Sequence, residues 1–399
     1  FAERESIGKR RALGYKRRHS NLEPMTSATY SQHPSAGWLA PVANGPLAAT
    51  VELPGSKSLN NRELVLSALA SEPTLLTHTL TSRDSTLMIE ALRSLGTQID
   101  VNTDGSVLVT PKPFDRSATI DCGLAGTVMR FVPPLSVLAN GDIKFDGDEG
   151  ARRRPMHTTI DSLRALGVEV TDEGAAALPF TVHGTGTVSG GEITIDASAS
   201  SQFVSGLLLA AARFENGLTL RHQGEHLPSM PHIEMTLDCL AKRGVKVSTP
   251  APAVWRVEPG KISGGTVAIE PDLSNAGPFL AAAMVSGGRV SILGWPDSTT
   301  QVGDEFDGIL QQMGAIISRS EKGLTITGDG NIHGITIDLS IGGELAPVVA
   351  ALAALADSPS RISGIAHLRG HETDRLAALA TEINRIGGIC RETADGLEI

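Results

Sequence analysis

Five stretches decide the fold: ALRSLGTQIDV (91–101), SLRALGVEVT (162–171), CLAKRGVKVST (239–249), ILQQMGAIIS (309–318) and EINRIGGIC (382–390). Each reads as an amphipathic helix, a glycine that ends it, and a β-branched run that opens a strand. The glycines are Gly96, Gly167, Gly244, Gly314 and Gly387, at spacings of 71, 77, 70 and 73 residues. Self-similarity at a steady period marks a repeated structural unit.

A second element recurs at the same period: SKSLNNRELVLSALA (56–70), AGTVMRFVPPLSVLA (125–139), SSQFVSGLLLAAA (200–212), SNAGPFLAAAMV (274–285) and GELAPVVAALAALA (343–356). Polar or small residues lead into a nearly all-apolar run, and a helix apolar all round has no face to give to water. Each unit therefore predicts one buried helix and one outer helix. Short strands such as SVLVTP (106–111), PFTVHG (179–184), VWRVEP (254–259) and LTITG (324–328) lie between them. Five units are anchored near residues 57, 126, 200, 274 and 344, and the fifth is expected to break off at Ile399 within its strand pair. Two sets of three would need a sixth unit from about residue 416. Without it, inner helices such as Leu345 to Leu355 are expected to keep an apolar flank open.

The chain has 399 residues, 41% hydrophobic and 20% charged, as a soluble chain of two or more domains would. No apolar run reaches the roughly 18 residues of a membrane span. Three widely spaced cysteines, Cys122, Cys239 and Cys390, exclude a disulfide framework or zinc knuckle and point to a reducing cytoplasm. A net charge of −10 argues against nucleic acid. Residues 1–24 carry seven Lys/Arg and three Glu, and a polar stretch follows Met25. Residues 1–39 thus read as a tail outside the fold, with Met25 a natural start.

Pro54-Gly55-Ser56-Lys57-Ser58-Leu59-Asn60-Asn61-Arg62 puts Lys57 and Arg62 about one turn apart around a helix start, but fails the P-loop pattern. Gly184-Thr185-Gly186 fails the dinucleotide fingerprint, since residue 189 is Ser. Helix starts rich in Ser, Thr, Gly, Asn and Lys are able to hold phosphates and carboxylates. Each motif also has a plainer reading. Arg152-Arg153-Arg154 suits a solvated charge run, Ser200-Ser201-Gln202 a helix cap, Glu344 a first-turn acid, and Arg369 to Arg375 a charged surface turn.

In order, PGSKS-x₃-R, AGTVMR, RRP, SSQ and ETDR resemble the 5-enolpyruvylshikimate-3-phosphate synthase family, from about residue 40 to Ile399. The resemblance implies an α/β (α+β) fold, a two-domain inside-out α/β barrel of βαβαββ units. Residues 40–54 would give a strand to the lower domain, 55–257 the upper domain and 258–399 the lower. It implies small-molecule substrates, phosphoenolpyruvate and shikimate 3-phosphate, in a cleft that closes on binding. It implies no metal or organic cofactor, and a cytoplasmic monomer is expected.

By the same resemblance, Lys57, Ser58 and Arg62 form the first substrate-binding segment, with Lys57 reaching both ligands. Gly126 gives a backbone turn beside phosphoenolpyruvate, Arg154 clamps that ligand, and Ser200, Ser201, Gln202 and Ser229 contact shikimate 3-phosphate. Glu344 resembles the base for the 5-hydroxyl, Glu372 a carboxylate in proton transfer at phosphoenolpyruvate, and Arg375 a second grip on that ligand. His371 stands where a Lys is frequent. His232 stands where many members carry Tyr and receives no role.

The family's closing Asp-His-Arg-Met motif is absent from this sequence, so little or no turnover is expected of residues 1–399. Two alternatives stay open. One is an inactive anion-binding remnant. The other is UDP-N-acetylglucosamine enolpyruvyl transferase, which carries Lys-Asn where Lys57-Ser58 stands and a loop cysteine that Asp146 to Arg154 lacks.

Overall fold

A computed structural model describes residues 42–224 and 226–399; the tail expected over 1–39 lies outside the described residues. Among the described residues the strands form five four-stranded sheets of one plan. In each, a strand runs parallel to a second, and an antiparallel hairpin completes the sheet, as in Ala118–Asp121, Asn140–Asp146, Phe180–Thr185 and Glu169–Thr171. A parallel pair needs a crossover connection, and in three sheets the inner helix supplies it directly.

The inner helices are α1 (Lys57–Ala68), α2 (Gly126–Ser136), α3 (Gln202–Ala211), α4 (Gly277–Ser286) and α5 (Ala346–Ala353). Outer helices include Arg83–Leu95, Met230–Lys242 and Arg375–Arg385. α2 and α3 touch closely because Gly206 has no side chain: a Cβ there would lie 2.1 Å from the Arg130 carbonyl.

Two hydrophobic cores result. The first runs from Leu59 to Ile269 around α1, α2 and α3. The second takes Leu53 and then Leu273 to Leu397, around α4 and α5. The first core thus extends past the boundary expected at residues 257 and 258. The cause is strand exchange: Gly265–Ala268 pairs in parallel with Thr74–Thr77, and Ala48–Val51 with Arg289–Leu293.

The chain therefore crosses between the cores twice, and the crossings bind each other. Ser56 N–H donates to the Glu270 carbonyl at 2.8 Å, and Asp272 N–H to the Pro54 carbonyl at 2.9 Å. Only glycine fits at residue 55, where a Cβ would meet the His78 carbonyl at 2.1 Å.

The fifth unit differs from expectation. Its sheet is completed by Arg391–Glu392 and Leu397–Glu398, and its edge is tied by Ser360 and Ile399 in both directions, at 2.8 and 3.0 Å. Two-residue strands are enough to close it. The expected open flank is present: Phe279 is 44% exposed, Val285 48% and Leu355 60%. The expected burial of the inner helices therefore holds for α1, α2 and α3 but only in part for α4 and α5.

Candidate active site

The site is assembled at helix starts. Lys57 opens α1, with its backbone N–H donating to Asp272 Oδ2 at 3.1 Å and its ammonium 3.6 Å from Asp84. Gln202 opens α3, and Ser200 Oγ accepts its N–H at 3.2 Å. Ser229 precedes the helix Met230–Lys242 in the left-handed region, at φ 55°, a conformation costly for a non-glycine residue. Glu344 sits in the one-turn segment Gly343–Leu345 leading into α5. Arg375 opens the helix Arg375–Arg385, which Asp374 caps by accepting the Ala377 N–H at 3.1 Å. Lys57 and Arg375 are cations in first helical turns, where the helix dipole disfavours them. A bound anion would gain from both the dipole and the cation.

These elements enclose a cavity of about 320 Å³ lined by residues of both cores. Of the residues expected from sequence, Lys57, Ser58, Ser200, Ser201, Gln202, Ser229, Glu344, His371, Glu372 and Arg375 line it. Gly126 and Arg154 stand behind its wall. A Cβ on Gly126 would come within 3.0 Å of Gln202 Oε1 and 3.2 Å of Arg154 Nη2. Arg154 Nη1 lies 3.9 Å from Glu372 and donates to the Leu124 carbonyl at 3.1 Å. Its Nε is buried without a partner.

Arg62 is placed differently from the other expected residues. It is 2% exposed and does not line the cavity. Its Nε donates to Thr236 Oγ1 at 2.8 Å, Nη1 to the Ser58 carbonyl at 2.9 Å and Nη2 to the His232 carbonyl at 2.8 Å. The guanidinium lies over the Phe131 ring, 5.3 Å from its centroid. It ties α1 to the helix Met230–Lys242 instead of reaching into the cavity. Burial pulls its pKa down to about 10, against Cys239 and Glu344.

The two carboxylates are strongly ionised. Burial pushes Glu344 up, but His232, Ser274 and Lys57 outweigh it and hold the carboxyl at about 2. Ser274 Oγ donates to Oε1 at 2.5 Å, and His232 Nε2 lies 3.1 Å from Oε2. Burial also pushes Glu372 up, and its own backbone N–H, Arg375 and Arg154 bring it to about 2. Arg375 Nη2 donates to Glu372 Oε2 at 3.0 Å. His371 is driven down to about 4 by burial and then by Arg375, so it is neutral at pH 7.

Sequence reasoning missed His232, Ser274, Asp84, Asp272 and Arg130. Ser274 had a signal, since it leads into α4 as Ser200 leads into α3. Arg130 lay within the AGTVMR stretch. It is 4% exposed beside Arg154, its Nε has no partner, and burial and then Arg154 pull its pKa down to about 9. Asp84 and Asp272 show no pattern in sequence, because each meets Lys57 from a distant element.

A family model described as EPSP synthase (3-phosphoshikimate 1-carboxyvinyltransferase) matches residues 42–399. A 3-phosphoshikimate 1-carboxyvinyltransferase from Kocuria rhizophila is 56% identical over 373 residues, covering 91% of this chain and 84% of that protein. Two solved structures of EPSP synthase from Acinetobacter baumannii are similar at TM-scores of 0.73 and 0.71. They cover 90% and 89% of this chain, and 82% and 83% of theirs. At 24% identity, these two speak for the fold alone.

Proposed function

Because the chain belongs to the EPSP synthase family, we propose that its cavity is where enolpyruvyl passes from phosphoenolpyruvate to the 5-hydroxyl of shikimate 3-phosphate. The chain is a transferase of the shikimate pathway, and the products are 5-enolpyruvylshikimate 3-phosphate and phosphate. The observation that carries the site reading is convergence: Lys57, Gln202, Glu344 and Arg375, from four separate elements, line one cavity. Neither the anion-binding remnant nor the UDP-N-acetylglucosamine enzyme is favoured, since the relatives above carry the EPSP synthase description.

In this reading Ser200, Ser201, Gln202 and Ser229 hold shikimate 3-phosphate by hydrogen bonds. Lys57 supplies a point charge shared by both ligands, with Ser58 beside it. Arg375, with Arg154 behind it, takes the anionic end of phosphoenolpyruvate, and the backbone turn at Gly126 lies alongside. His371 contributes a neutral donor. Arg62 acts at one remove, by fixing the helix start that carries Ser229 and His232.

The chemistry runs by addition and then elimination. Glu344 takes the 5-hydroxyl proton, the oxygen bonds to C2 of phosphoenolpyruvate, and C3 gains a proton. The C2–O bond to phosphate then breaks and C3 gives up a proton, restoring the double bond. Glu372 serves C3. Without ligand it is ionised, because Arg375 and Arg154 hold it so. A phosphoenolpyruvate anion engaging those arginines would raise its pKa and let it carry a proton to C3. Closure about the paired crossings at Gly55 and Pro271 would exclude water from these steps.

A cytoplasmic monomer without nucleic-acid partners completes the reading. The net charge of −10 and the three free, buried thiols support its cytoplasmic and non-nucleic-acid parts. Among the described residues no helix is long and apolar enough to cross a membrane. The test of function is phosphate release from shikimate 3-phosphate and phosphoenolpyruvate, matched mole for mole by 5-enolpyruvylshikimate 3-phosphate. Phosphate released without that product would refute the reading.

A further inference from the structure

His232 carries more structure than a cavity-lining residue needs. It stands in the first turn of the helix Met230–Lys242, and three donors from three helices fix its carbonyl. Arg62 Nη2 reaches it at 2.8 Å, Thr236 Oγ1 at 2.9 Å and Ser205 Oγ at 3.3 Å. Its ring then crosses from the first half of the molecule to the second and meets Glu344 Oε2 at 3.1 Å. The ring is 18% exposed and the Glu344 side chain 30%, so the contact is shielded but open to the cavity.

An ionised carboxylate has no hydrogen to give. The Nε2 nitrogen must therefore carry the hydrogen, whichever charge state the ring holds. With Ser274 Oγ on Oε1 and His232 on Oε2, both carboxylate oxygens are held. Each keeps a further lone pair for the cavity. The other charged groups around this pair are Lys57 from α1, Asp272 from the second crossing, Glu372 with Arg375 across the cavity, and Arg62 behind the helix.

We propose that His232 is a positioning residue for Glu344: its Nε2–H fixes the carboxylate that accepts the 5-hydroxyl proton and keeps it ionised. The proposal rests on the reading of Glu344 as the base. It also gives Arg62 its place, as the group that anchors the backbone from which His232 reaches. A base held on both oxygens loses little orientational freedom at the moment of proton transfer, which is where such contacts contribute to kcat.

Two measurements test it. Carboxyl ¹³C NMR of glutamate-labelled protein, with Glu344 assigned through Glu344→Gln, follows ionisation without needing turnover. The titration of Glu344 should move up by at least one pH unit in His232→Ala and by less in His232→Gln, which keeps a donor. An unmoved Glu344 signal in both variants overturns the proposal. In kinetics, His232→Ala should lower kcat at least tenfold, with both KM values within twofold of wild type, and His232→Gln should recover part of the loss. Wild-type kcat, or a change confined to the KM of shikimate 3-phosphate, also overturns it. If His232→Ala does not fold, as thermal melting would reveal, His232→Gln decides alone by the same two readouts. Full turnover in Glu344→Gln would instead refute the base assignment, and the NMR result would still judge the pairing.

Discussion

In the first core α1 buries ten of its twelve residues, α2 ten of eleven and α3 nine of ten. In the second, α4 buries four of ten and α5 five of eight. The helices come from the same repeat, and the less buried α4 and α5 carry no charged residue whereas α1 carries Lys57, Arg62 and Glu63, so composition does not explain the difference. The difference lies in neighbours: three inner helices pack on one another, whereas among the described residues α4 and α5 have only each other as inner neighbours. The closed core also holds a buried ion pair. Glu63 and Arg243 pair at 2.6 Å with both side chains under 10% exposed, and Arg243 also donates to Ser67, Thr74 and the Ser263 carbonyl. A buried pair is tolerable where every donor is met. In the second half Asp272, Glu344, Glu372 and Arg375 line the cavity.

The largest effect that would sharpen this contrast is on turnover. Lys57→Ala should lower kcat/KM by roughly 100-fold or more, since a polyanion site loses its point cation. Lys57→Arg should not restore it, because a planar fork cannot replace a compact ammonium. The Lys57 side chain is 51% exposed, so the melting temperature should barely move. A large fall in melting temperature would mean that Lys57 supports the fold.

Next come substitutions inside the closed core. Glu63→Ala should cost about 3–5 kcal/mol by urea denaturation, because Arg243 is left buried and unpaired. Phe131→Ala should cost a similar ~3–5 kcal/mol for a large ring removed from a sealed site. Phe279→Ala on the open flank of α4 should cost under about 1 kcal/mol, since much of that ring already meets water. Equal costs at Phe131 and Phe279 would break the comparison.

Hydrogen exchange should follow the same line. Amides of α4 and α5 should exchange faster than those of α1, α2 and α3, reflecting openings of lower free energy. Uniform protection would show that the open flank has no energetic consequence.

The smallest effect is on pH. Glu344 and Glu372 both have carboxyls held at about 2. Depressed acids stabilise above their unfolded pKa, near 4.3, and that contribution is lost as pH falls toward 2. Both belong to the second half and both are about a third or more exposed, so the loss is screened and modest. Acid melting should touch residues 343–375 before the first core. Glu344→Gln should flatten part of that dependence.

Much of this was legible in the sequence because the repeat is written in helix starts. Lys57, Gln202 and Glu344 each open an apolar run, and such positions converge when the runs are packed inside. The burial of Arg62 was not legible in the sequence, because the partners that hold its guanidinium are brought to it only by the fold. Those partners, Thr236 and the His232 carbonyl, lie far along the chain. The extension of the first core past residue 257 was not legible, because Gly265–Ala268 pairs with a strand nearly two hundred residues earlier. His232 received no role because it stands where many family members carry Tyr, and nothing in its local sequence points to Glu344.

The claim that both halves hold the substrates in one cavity is tested most directly by calorimetric titration of shikimate 3-phosphate, then phosphoenolpyruvate, into the protein. One site is expected for each. The first is weakened at least tenfold by Gln202→Ala in the first half, and the second at least tenfold by Arg375→Ala in the second. Unchanged binding of both ligands in both variants would contradict it.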